Sequence, residues 1–103
     1  MTVELLWWDG CPSHPEALAD LERILHEEGV PADVTRVEIE DDAQARRERF
    51  PGSPTIRIDG RDIVPPEDGE PYSLTCRVYR RRDGRISPVP DPEDVRDAVR
   101  RAA

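Results

Sequence analysis

Val3 to Trp8 reads Val-Glu-Leu-Leu-Trp-Trp, and this stretch restricts the fold more than any other. Successive side chains of an extended strand alternate between faces. Val3, Leu5 and Trp7 therefore point one way, and Leu6 and Trp8 the other. A strand that is apolar on both faces belongs in the middle of a sheet covered on both sides. The 103 residues suffice for one such core and not for two. Hydrophobic residues make up 36% against 37% charged, so that core must be economical.

The elements then alternate. Pro12 and Pro15 lie in or just before the first turn of a helix, where a missing N–H costs little. Ala17, Leu18, Leu21, Ile24 and Leu25 repeat at helical spacing while Glu16, Asp20, Glu22, Arg23 and Glu27 face out. Gly29 and Pro31 stop that helix. Val34, Val37 and Ile39 suggest a second strand. Asp41 and Asp42 are N-cap candidates for a short polar helix through Arg49, anchored by Phe50 and ended by Pro51-Gly52. Thr55 to Ile58 alternates as a third strand, turned by Asp59-Gly60.

Leu74, Cys76 and Val78 alternate with Thr75, Arg77 and Tyr79, which predicts a fourth strand. Asp83-Gly84 would turn the chain back through Ile86. Asp91-Pro92-Glu93-Asp94 starts a last helix with Val95, Ala98, Val99 and Ala102 as its buried stripe. The order strand-helix-strand-helix-strand-strand-helix predicts an α/β fold, one mixed sheet of about four strands with helices on both faces. The first two strands should be parallel with a right-handed crossover, and the last two antiparallel neighbours. Residues 1–103 form one domain in this reading, with 60–73 as an acidic loop carrying Pro65, Pro66 and Pro71. That loop is a surface excursion or a flap over a site.

Chemistry concentrates at Cys11-Pro12-Ser13-His14, between the first strand and the first helix. Unpaired N–H groups and the helix dipole stabilise a thiolate at a helix start. Ser53-Pro54-Thr55 suits a cis proline that brings backbone beside that sulfur. All 15 basic residues are arginine, which excludes a side-chain Schiff base and a lysine phosphate clamp. A net charge of −8 argues against nucleic acid and anionic membrane surfaces as partners. No apolar run approaches a membrane span, and no leader pattern opens the chain, so cytoplasmic residence is expected. Two cysteines in a reducing compartment are thiols or a transient redox pair before they are a structural disulfide.

The strand ending in Trp-Trp, the Cys-Pro-X-X helix opening, the Ser-Pro-Thr segment and the element order resemble the thioredoxin-like superfamily. The resemblance implies that Cys11 is the attacking thiol and that Pro54 is the cis proline facing it. It also implies that the backbone of Ser53 and Thr55 is where a substrate chain pairs. His14 stands where the family places its resolving cysteine, so no second thiol lies one turn away. A narrower resemblance covers Ser73 to Tyr79 and the helix opening at Pro92, which look like the region around one catalytic cysteine of alkylmercury lyases. It implies Cys11 and Cys76 as the two thiols, with Asp9 the nearest acid.

The residues are also read one by one. Cys11, flanked by Gly10 and Pro12, is expected partly exposed rather than a small buried hydrophobe. His14 either stabilises the thiolate, accepts its proton, or is a surface histidine. Cys76, sharing a strand face with Leu74 and Val78, is expected in the core. Trp7 and Trp8 are mainly core, with Trp8 a candidate apolar contact for a substrate. Cys11, His14 and Cys76 lack metal-motif spacing, so no metal site and no cofactor is expected. Three functions remain open. One is a monothiol redox protein acting through Cys11 on a disulfide or a low-molecular-weight thiol. The second is a two-thiol mercury or organomercurial binder or lyase, and the third a non-catalytic interaction module.

Overall fold

The computed structural model describes residues 1–103. Strand β1 (Val3–Trp7) lies inside a four-stranded sheet, as its two-sided apolar pattern requires. Its neighbours are β2 (Val34–Glu38), which is parallel, and β3 (Thr55–Ile58), which is antiparallel. Helix α1 (His14–Glu27) connects β1 to β2, and α2 (Asp42–Arg47) lies between β2 and β3. The fourth strand of the sheet, β4 (Arg61–Asp62), pairs antiparallel with β3. A separate hairpin, β5 (Tyr79–Arg80) with β6 (Ile86–Ser87), precedes α3 (Pro92–Ala102).

Each face of the sheet has its own core. Val3 and Leu5 pack with Ile56 and Ile58 of β3 against Leu21, Ile24 and Leu25 of α1 and Val95, Ala98 and Val99 of α3. On the other face Leu6 packs with Ile39, Ala45 of α2 and Phe50. Arg96 and Arg100 of α3 reach Glu27 and Glu28 at the end of α1, with contacts of 2.7 Å. These ion pairs tie the two helices of the first face together where the hydrophobic contact ends.

Local signals account for the helix ends. Asp41 accepts from the Gln44 N–H at 2.7 Å, and Asp91 from the Glu93 N–H at 2.9 Å, so both expected N-caps form. Helix α2 ends at Arg47, two residues before the expected Arg49. The reason is a Schellman turn: the N–H of Phe50 donates to Ala45 and that of Arg49 to Arg46, with Arg49 left-handed at φ 54°. Turning there drives Phe50 into the second core, where it is fully buried. The buried stripe of α3 stops at Val99, and Ala102 is exposed.

The fourth strand is not where the alternation of Leu74 to Val78 places it. Asp59 and Gly60 both adopt positive φ, 52° and 81°, the geometry of a two-residue hairpin turn. The chain folds straight back as β4 and fills the free edge of β3. With β1 on one side and β4 on the other, β3 has no edge left for a later strand. Residues 74–78 lie outside the sheet instead, with one isolated parallel bridge between Cys76 and Ser53, just before β3. The segment read as an excursion from Gly60 to Ser73 therefore begins inside the sheet, and only its remainder is loop.

Candidate functional site

The bond between Ser53 and Pro54 is cis, as the Ser-Pro-Thr setting suggests. It lies between the end of α2 and β3, against the turn that leads from β1 into α1. The Trp8 N–H donates to Ser53 Oγ at 3.0 Å, and the Cys11 N–H closes a tight turn onto the Trp8 carbonyl at 3.1 Å. That turn draws Cys11 inward until only 2% of it is exposed. Gly10 permits the fold-back. A Cβ there would lie 2.3 Å from the Trp8 ring, so no other residue fits without moving the indole.

Cys11 and Cys76 form a disulfide, with Cα atoms 5.6 Å apart across 65 positions of sequence. The separation lies inside the range that a disulfide spans. The two sulfurs sit in unlike surroundings. Cys11 Sγ lies 3.6 Å from the Ser53 carbonyl oxygen and 3.3 Å from Ser13 Oγ. A disulfide sulfur carries no proton, so the Ser13 hydroxyl is the donor in that contact. Cys76 is exposed. The sequence reading had these the other way round, with Cys11 partly exposed and Cys76 in the core. The tight turn at Gly10 buries the first. The second is exposed because its segment is excluded from the sheet, and Val78, expected beside it in the core, is 72% exposed.

Backbone pairing holds the Cys76 segment in place. The Ser53 N–H donates to the Thr75 carbonyl at 2.8 Å, and the Arg77 N–H donates to the Ser53 carbonyl at 2.9 Å. The edge beside the cis proline, where the family resemblance puts a substrate chain, is thus occupied by residues 75–77 of the same molecule. Ser53, Pro54 and Thr55 are all buried. Thr55 pairs with Leu6 in the sheet and its hydroxyl donates to the Gly52 carbonyl at 2.6 Å. The Tyr79 hydroxyl donates to the Pro54 carbonyl, closing the far side.

Arg77 is the anchor that residue-by-residue reading missed. Its guanidinium donates to Asp62 at 2.9 Å, to the Val64 carbonyl at 2.6 Å and to Thr55 Oγ1 at 3.3 Å. It also stacks on the Tyr79 ring at 4.6 Å. Burial raises the Asp62 carboxyl above its ordinary range, outweighing the attraction of Arg77. Burial likewise pushes the Tyr79 phenol up, so it is a hydrogen-bond donor throughout the neutral range. The clue in the sequence was an arginine inside an apolar alternation. Ser13 was also overlooked as a contact, although it sits two residues from the thiol.

His14 stacks on Trp7, with ring centroids 4.2 Å apart, and its Nδ1 lies 3.4 Å from the Cys11 carbonyl oxygen. Its ring is aimed at the backbone, and no hydrogen bond connects it to either sulfur. Trp8 is half-buried over the second core. Asp9 is exposed. No group of three or more His, Cys, Asp or Glu side chains is arranged to hold a metal ion. No helix is long and apolar enough to cross a membrane. Comparison with known protein families, curated proteins and solved structures finds no match to this chain.

Proposed function

We propose that this chain is a thioredoxin-like thiol-redox protein whose working couple is Cys11 and Cys76. One observation carries the reading: a disulfide joins two cysteines 65 positions apart, beside a cis proline. The position left by the missing local thiol, where His14 stands, is answered from the far side of the fold. The thioredoxin-like assignment draws on the sheet order β2-β1-β3-β4 and on the cis Ser53-Pro54 bond, whose carbonyl oxygen lies 3.6 Å from the sulfur of the cysteine that follows β1. Cytoplasmic residence is part of the same proposal and requires the Cys11–Cys76 bond to be a transient, working state, since disulfides rarely persist in a reducing compartment.

The chemistry is thiol–disulfide exchange. A partner thiolate attacks one sulfur of the Cys11–Cys76 bond, and the electron pair of that bond goes to the other. A second partner thiolate then releases the mixed disulfide, leaving two thiols in the protein and one disulfide in solution. In reverse the protein reduces a disulfide. Backbone hydrogen bonds of Ser53 with Thr75 and Arg77 hold the Cys76 segment independently of the S–S bond itself, so the two thiols are expected to stay close after reduction.

That closeness favours a second reading, capture of a soft ion such as mercury or an organomercurial between two thiolates. It ranks lower because Asp9, the acid that the lyase resemblance adds to the two thiols, is exposed and makes no hydrogen bond to either sulfur.

The test is turnover of a model disulfide by the full chain with a thiol as reductant. The redox reading expects acceleration by the wild-type protein and its loss in both Cys11→Ser and Cys76→Ser. Equal rates for wild type and the double variant would overturn it and leave the non-catalytic interaction module. Mercury binding that needs both cysteines, without any exchange, would transfer the assignment to the second reading.

A further inference from the structure

We propose that Cys76, and not Cys11, is the sulfur that exchanges with outside partners, and that the groove beside it takes a small cationic thiol. The proposal rests on the redox reading above and assigns the direction of the reaction. Access decides the first part. Cys11 is 2% exposed and enclosed by Ser53, Ser13 and the turn at Gly10, whereas Cys76 faces solvent. An incoming thiolate must reach a sulfur from the side opposite the one that leaves, and Cys76 is the cysteine that is exposed and lines a surface groove.

The step balances as follows. The partner sulfur bonds to Cys76 Sγ, the Cys11–Cys76 bond breaks, and its electron pair stays on Cys11 Sγ. The Ser13 hydroxyl, 3.3 Å away, is placed to donate to that thiolate. A second partner thiolate attacks the partner sulfur of the mixed disulfide, and Cys76 leaves. This reverses the usual expectation that the cysteine at the helix start meets the substrate.

The groove argues the second part. Cys76 lines a surface cavity of about 530 Å³ together with Pro66, Glu67, Glu70, Thr75 and Arg80. That volume is within the range of small-molecule sites. Glu67, Glu70 and Arg80 are all exposed, and Arg80 keeps its charge although its guanidinium donates to the Gly84 carbonyl at 3.3 Å. Arg77 is paired with Asp62, so the lining sets two carboxylates against one unpaired guanidinium and is weakly negative, in a chain of net charge −8. The backbone of Ser53 is already paired, so a partner is not drawn in by strand addition there. A small thiol with an amine near its sulfur fits this surface.

The oxidised full-length protein is treated with cysteamine and stopped early with excess iodoacetamide, and the two cysteines are mapped by mass spectrometry. The expected result is cysteamine on Cys76 and the alkyl group on Cys11; the reverse would overturn the proposal. Rates are then compared, per thiolate, for cysteamine, 2-mercaptoethanol and 3-mercaptopropionate. Cysteamine should lead the neutral thiol by about fivefold at low salt, the neutral thiol should lead the anion, and the spread should shrink in Glu67→Gln/Glu70→Gln. Equal rates would overturn the charge assignment. An arginine-flanked cysteine peptide outpacing cysteamine would move the groove to a protein partner and overturn the small-thiol choice. A disulfide that resists all of these thiols would instead refute the redox reading itself.

Discussion

Arg77 sits one residue beyond Cys76 with 8% of its side chain exposed, and Asp62 opposite it has 13%. Burying an ion pair gains little, but removing one partner leaves the other charge without compensation. Arg77→Ala is expected to destabilise the fold by about 3 to 5 kcal/mol in urea unfolding. Adding Asp62→Ala should restore part of that loss; a double variant as unstable as the sum of the single ones would contradict the pairing. Ser13→Ala removes the one hydroxyl beside Cys11 Sγ. A hydrogen bond to a charged group is worth about 1.5 kcal/mol or more, so exchange should slow about tenfold with the fold unchanged. The cis bond at Pro54 was legible because it depends on its immediate neighbours. The exposure of Cys76 was not, since alternation of Leu74, Cys76 and Val78 describes a strand only if a sheet edge is free.

Among the elements, the same reason explains what the sequence conveyed. Strand β1, helix α1 and the caps at Asp41 and Asp91 are local patterns, and they form as read. The Asp59-Gly60 turn was also recognised, but its consequence was not: a two-residue turn brings the very next residues onto β3 and closes that edge. The cap of α3 gives a prediction with a sign. The N–H groups of Arg82 and Glu93 hold the Asp91 carboxyl below the usual carboxylate range. A carboxylate lowered on folding contributes stability above its unfolded pKa, and loses it as pH falls through the folded value. Asp83 behaves alike through the Arg85 N–H, Asp97 through Arg82, Glu27 through Arg96 and Glu28 through Arg100. Asp62 opposes them, because its raised carboxyl is easier to keep buried once protonated. Urea midpoints should therefore fall as pH drops below about 4. Asp91→Asn should flatten that acid limb, because asparagine still accepts at the cap but does not titrate; an unchanged limb would show that the cap does not titrate as described.

At the scale of the whole molecule, the Cys11–Cys76 bond connects the turn between β1 and α1 to a segment that no strand of the main sheet contains. Cross-linking positions 65 apart restricts the unfolded chain by about 4 kcal/mol in the loop-entropy account. Reduction should lower the unfolding free energy by up to that amount while leaving the fold in place. The reasons are the pairing of Ser53 with residues 75 and 77 and the anchoring of Arg77, neither of which is made through the disulfide. Loss of the folded state on reduction would make the bond a structural brace. The account turns on the two cysteines forming one reversible couple. The direct measurement is to equilibrate the full chain in a series of glutathione buffers of stepped thiol-to-disulfide ratio, quench with acid, and read both cysteines by mass spectrometry. The predicted result is a single two-electron transition between the dithiol and a linked Cys11–Cys76 peptide. Separate glutathione adducts on each cysteine, with no linked peptide at any ratio, would contradict it.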